Sequence, residues 1–193
     1  TPLTIEAWIT PHTSEYQLFG GNGSNGNGLN LQLQGEHWAW SFLALKDGLN
    51  KHTRVASDEP ARLDRRTHVA ATFDKFYLRI FIDGIEQKDF QRLVVPYVPS
   101  SEPFVIGAAI GRERRFAQGC HAVLDEVRIS RVVRYTKNFT PAERHEPDAD
   151  TEVLYHFDEG AGDTAHDASP HARHAKLESP AWVQTDGTAI PPR

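Results

Sequence analysis

The sequence has one cysteine and no methionine. A lone cysteine, Cys120, excludes an intrachain disulfide and with it the stapled mini-domain classes. It stands in QGCHAVLDEV among strand-like residues and reads as a small buried hydrophobe. The opening residues, TPLTIEAWI, carry no charged-then-apolar leader pattern. With no Met at position 1, the chain reads as a piece of a longer protein, covalently linked to neighbouring domains, in a compartment the residues do not specify. No apolar run approaches the roughly 18 residues that a membrane helix needs. An excess of positive charge is missing too. Lys and Arg number 21 against 26 Asp and Glu, giving a net charge of −5 and a pI near 6.0. The basic clusters at 61–66 and 111–116 are interleaved with acids, so the stripe expected of a nucleic-acid binder is lacking.

The signatures of catalysis are also scarce. There is no G-x-S-x-G elbow. The glycine-rich GGNGSNGNG (20–28) lacks the lysine and following helix of a phosphate-binding loop. His166, His171 and His174 have irregular spacing in a loop-like stretch, unlike a zinc motif. One alternating acidic row exists, Glu146, Asp148, Asp150 and Glu152, but Pro147 interrupts it and it reads as a solvated connector. The chain is therefore expected not to be an enzyme.

Strand patterns dominate what remains. LTIEAWI (3–9) alternates Leu3, Ile5, Ala7 and Ile9 against Thr4, Glu6 and Trp8. Residues 16–20, 29–34 and 37–45 follow as strands. THVAATFD (67–74) and YLRIFIDG (77–84) form a hairpin. Residues 102–111, 122–130 and 151–160 complete the set, and 131–145 has room for a helical turn or two before Pro141. Many short strands with turn signals between them predict an all-β fold, a two-sheet antiparallel sandwich of jelly-roll type. Residues 1–185 are expected to form one such sandwich, with 186–193 as a linker stub.

Five segments in order resemble the bacterial laminin-G-like domain of the concanavalin A-like lectin/glucanase group. They are LTIEAWI, HVAATFDKFYLRIFIDG, FVIGA, LDEVRISRVVRYTKNFTP and YHFDEGAGDTAHDASPHARHAKL. The last is similar to the usual start of such a domain, so the order resembles a circularly shifted one, of a kind found in large planctomycete proteins. The strand that normally lies between that start and TIEAW is not apparent. The shift predicts that 152–158 lies in a sheet beside 3–9. Hydrolases resembling this group carry ExDxE or ExDxxE along one strand; here Asp125 and Glu126 are adjacent and would face opposite sides.

The expected function is a non-catalytic binding module for a glycan or a protein, with a structural spacer as the alternative. Trp8 and Glu6 share one side of their strand, and Tyr77, Arg79 and Phe81 share one side of theirs. If the aliphatic rows face the core, these residues face outward, where flat rings and polar groups could hold a sugar. Trp38, Trp40 and Phe42 form another row that fits either the core or the outside. The resemblance further implies a structural calcium ion, with Asp125, Asp158 and Asp167 as candidate ligands.

Overall fold

In a computed structural model, residues 2–23, 28–46, 49–93, 100–110, 116–117, 119–184 and 186–190 are described. The strands in chain order are β1 (Leu3–Pro11), β2 (Gln17–Gly21), β3 (Gly28–Gln34), β4 (His37–Lys46), β5 (Leu49–Ala56), β6 (Thr67–Phe73), β7 (Tyr77–Ile82) and β8 (Ile85–Glu86). They continue with β9 (Gln91–Arg92), β10 (Val105–Ile106), β11 (Ala109–Ile110), β12 (Phe116–Ala117), β13 (Ala122–Ser130), β14 (Thr151–Tyr155), β15 (Thr164–Ala165) and β16 (Ala175–Lys176). Two antiparallel sheets form the sandwich. One has seven strands in the order β14-β13-β1-β6-β7-β8, with β9 also on β7; the other has five, β10-β2-β3-β4-β5. The fold is the expected all-β sandwich.

Alternation explains the core. Ile5, Ala7 and Ile9 of β1, Val69, Ala71 and Phe73 of β6, and Leu78 and Ile80 of β7 point inward from the first sheet. Leu29, Leu31 and Leu33 of β3 meet them from the second, with Trp38, Trp40 and Phe42 of β4. The tryptophan row is therefore core: Trp40 packs edge-on to Phe42, and Phe42 lies 4.7 Å from Phe73 across the sandwich.

Three expectations are corrected. First, β14 does not lie beside β1. It pairs with β13, and β13 lies between them, pairing with β1 on its other edge. Second, the strand expected over 102–111 is split into β10 and β11 around Gly107, whose φ of 74° breaks the extended run. Third, among the described residues no helix forms; 131–150 runs as bends and turns.

One irregularity positions the site below. Between Glu6 and Trp8 the β1–β13 register shifts, so that Glu6 faces Arg128 while Trp8 faces Asp125. The extra residue is accommodated at Glu126, which sits at φ 51°. A bulge of this kind re-aims side chains. Here it puts Asp125 and Arg128 on the same outer face as Glu6 and Trp8, although their spacing in sequence places them on opposite faces.

Candidate functional site

The outer face of the seven-stranded sheet is not open. Residues 131–150, the connection from β13 to β14, lie across it as a strap. Phe139 donates its backbone N–H to the Gly84 carbonyl at 2.9 Å. Gly84 has φ 77°, and a Cβ there would run into the Phe139 carbonyl, so only glycine lets the strap come this close. Tyr135 and Phe139 stack with centroids 3.5 Å apart, and Phe139 also packs against Phe81. Trp8 donates its indole N–H to the Ala142 carbonyl at 3.0 Å, and the Arg66 guanidinium lies 4.0 Å above its ring. Glu6 and Phe81 are fully buried and Trp8 nearly so. This corrects the expectation that Glu6, Trp8 and Phe81 lie open to a ligand. Their row does face away from the core, but the strap covers it. Arg79 and Tyr77 are half-buried, and Arg79 is tied to Asp74 at 2.8 Å and Glu86 at 3.2 Å.

Beneath the strap is a buried charged cluster. Arg128 donates to Glu6 Oε1 through Nε at 2.9 Å, and its Nη2 stands 2.7 Å from the same oxygen. Tyr135 donates its hydroxyl to Glu6 Oε2 at 2.7 Å. The His68 and His145 Nε2 atoms stand 3.3 Å and 3.7 Å from that oxygen, neither well aligned for a hydrogen bond. Burial would raise the Glu6 carboxyl, but His68, Arg128 and His145 outweigh it and hold the pKa at about 2. Burial lowers His145 to about 4, against the pull of Glu6. Burial and the Glu6 charge both raise Tyr135.

Glu6, His68 and His145 are the one group of three converging metal-type donors among the described residues, with ligand atoms within 4.8 Å of one another. Two histidines and a carboxylate suit a transition metal by type. The surroundings do not suit one. Arg128 already neutralises the single carboxylate, and a divalent ion would add uncompensated positive charge in a buried site. The chemistry this cluster supports is that of a clamp holding the strap.

The three candidate calcium ligands do not converge. Asp125 pairs with Arg66 at 3.0 Å, and Asp158 with Arg144 at 2.7 Å. Asp167 accepts the backbone N–H groups of Leu154, Ser169 and Arg173 and the Ser169 hydroxyl, each at 2.7–2.9 Å. It is a turn anchor that closes the free edge of β14. Three of the four residues of the alternating acidic row are similarly occupied: Asp148 meets Arg134, Asp150 meets Arg131, and Glu152 meets Arg173, while Glu146 takes part through its backbone carbonyl, which accepts from Arg128.

The five-stranded sheet differs. The register places Arg54, Ser41, Asn30 and Gly21 in one line across its outer face, and Ala56, Ala39, Gln32 and Leu18 in the next. Asn30, Gln32, Ser41 and Ala39 of these rows are buried, whereas Arg54 is exposed at their margin. At the end of this face Tyr16 is 45 % exposed, and its hydroxyl donates to Gln32 Oε1 at 3.3 Å. Gln32 donates to Gln34, while Asn30 Oδ1 accepts the Gly23 N–H, leaving the Asn30 amide nitrogen without a protein partner. Arg54 is exposed and, among the described residues, has no ion-pair partner, unlike Arg66, Arg79, Arg128 and Arg134. Alternation in LNLQLQ identified this row only as polar partners of the leucines. The signal that could have found it was the pairing of those amides with Ser41 and Arg54 on neighbouring strands. Of the glycine-rich stretch 20–28 expected as a loop at the sheet rim, Gly20 and Gly21 belong to β2 and Gly28 to β3, and 24–27 lie outside the described residues.

A family model described as the concanavalin A-like lectin/glucanases superfamily matches residues 1–137. The chain belongs to this superfamily, as a laminin-G-like domain. No curated protein sequence matches it. Similar solved structures include a Bacteroides ovatus protein provisionally described as carbohydrate-binding, at 20% identity and TM-score 0.56, covering 93% of this chain and 54% of that one. This laminin-G-like chain thus spans about half the length of that neighbour. Domains LG4-5 of the mouse laminin alpha1 chain match at 18% identity and TM-score 0.53, over 68% of this chain and 36% of that one. The CBM40 of Ruminococcus gnavus IT-sialidase, bound to alpha2,3 sialyllactose, matches at 16% identity and TM-score 0.51, over 70% and 78%. At such identities the likeness is one of fold.

Proposed function

We propose that this laminin-G-like domain is a non-catalytic module that binds a glycan on the outer face of its five-stranded sheet. The observation that carries this reading is the pair of exposed side chains, Arg54 and Tyr16, at the margins of this face, with the buried polar row of Ser41, Asn30 and Gln32 between them. Sugar hydroxyls donate and accept, and Asn and Gln amides do both. A ring such as Tyr16 offers an apolar face to sugar C–H groups and a polar tip. The unpaired Arg54 suits an acidic sugar, since a guanidinium matches a carboxylate in a fork. Fold likeness to structures with carbohydrate-binding descriptions, one of them holding a sialylated sugar, supports the same reading.

The test is an array of neutral and acidic glycans probed with the wild-type domain and with Arg54→Ala and Tyr16→Ala. Binding to acidic glycans that is lost in both variants, with unchanged melting temperatures, is the expected result. Binding that survives both substitutions would move the site elsewhere. A domain that retains no glycan at all would turn the reading to a protein ligand or a spacer.

A further inference from the structure

We propose that the cleft between β10 and the C-terminal segment 175–183 is a docking site for one extended polypeptide strand that is not part of this chain. The cleft has a volume of about 620 Å³. Phe104 and Ile106 line it from the five-stranded sheet, Leu124, Ile129 and Val153 from the seven-stranded sheet, and Trp182 from the C-terminal segment. The first four of these, unlike the neighbouring core, are only partly buried and pack against the core cluster. The two sheets thus part along this side and leave an apolar slot.

The backbone beside the slot decides what fits it. Among the described residues β10 is the last strand of its sheet, paired only with β2. Val105 faces Gly21, and the Gly107 N–H reaches the Phe19 carbonyl at 3.1 Å. Residues 105 and 107 therefore address β2, so Phe104 and Ile106 direct their N–H and C=O groups the other way. Among the described residues those groups have no protein partner. The facing edge of β14 is different: Asp167 and Ala168 close it through Leu154. A small apolar ligand would fill the slot but leave the β10 backbone unmet. A strand with an apolar residue at every second position would do both, pairing with Phe104 and Ile106 while setting alternate side chains between the sheets.

The experiment uses octapeptides, acetylated and amidated, alternating Val, Ile or Phe with Thr. Each is titrated into the isotope-labelled domain and read by NMR. Saturable shifts at 104–108, with slowed amide exchange at Ile106, are expected from at least one peptide. A peptide N-methylated along its pairing edge keeps its side chains but loses its donors, and it should bind at least tenfold more weakly. In the protein, Ile106→Pro removes the outward N–H while sparing the β2 ladder, and should weaken binding to the same degree. Equal binding of the N-methylated peptide would overturn strand pairing in favour of a side-chain pocket. The same holds if no peptide protects Ile106. A domain that dimerises in light scattering, with Ile106→Pro restoring the monomer, would assign the edge to a second copy instead and overturn the proposal as stated.

Discussion

The outer faces of the two sheets start from the same rule and end differently. On both, alternation sends one row inward and the other outward. On the seven-stranded sheet the outward row carries Glu6, Trp8, Phe81 and Arg128, and 131–150 seals it. On the five-stranded sheet the outward row carries Asn30, Gln32 and Ser41, which are buried, and Arg54, which is exposed together with Tyr16 and His52. Period-2 patterning identifies a row that leaves the core; it does not say whether another segment lands on it. The charged groups tell the two apart in retrospect. A buried Glu6 needs Arg128 and Tyr135, whereas an exposed Arg54 needs nothing.

The comparison breaks most severely at Glu6. Glu6→Gln leaves Arg128 buried beneath the strap without its counter-charge. Stranding one partner of a buried pair costs about 3–5 kcal/mol. At roughly 2–4 °C per kcal/mol for a domain of this size, the melting temperature should fall by about 10 °C. Trp8→Ala should cost about 3 kcal/mol by opening a cavity under the strap, again in a thermal melt. It should leave glycan binding by the folded protein intact, which is the reverse of the outcome for an exposed sugar-stacking ring.

Acid acts on the cluster beneath the strap. His145 is held near 4 when folded against an ordinary 6.5, so the unfolded chain binds its proton first and stability falls from pH 6.5 towards 4. Glu6 is held near 2 against 4.5, so its contribution is present above 4.5 and is lost as pH falls towards 2. Melting temperature against pH should therefore decline in two windows, and His145→Gln should remove the upper one. Smaller effects belong to the exposed side chains of the five-stranded sheet. Arg54→Ala and Tyr16→Ala should each stay within about 0.5 kcal/mol of wild type in denaturant melts, as surface substitutions do. The smallest is at Cys120, whose thiol burial raises to about 11; it should react slowly with a thiol reagent at neutral pH.

The hairpin β6–β7 was legible because Val69, Ala71, Leu78 and Ile80 alternate without interruption. β5 was not, because its inward Thr53 and outward His52 and Arg54 are all polar, so no apolar rhythm marks it. The Glu6–Arg128 pair lay hidden for another reason. The two residues are 122 apart in sequence, and only the pairing of β1 with β13 sets them opposite each other on one face. The strap has no period at all; its anchors are single contacts from Tyr135, Phe139 and Ala142. Asp167 was readable as a turn former, and its saturated carboxylate agrees with that reading rather than with a metal ligand.

The central claim is that ligands meet the five-stranded sheet and not the strapped one. The most direct test is an NMR titration of the labelled domain with an acidic glycan from the array, mapping which amides and indole N–H groups shift. The account predicts shifts at Asn30, Gln32, Ser41 and Arg54 and none at the Trp8 indole. Shifts at Trp8 and along 135–145, with β3 to β5 silent, would contradict it.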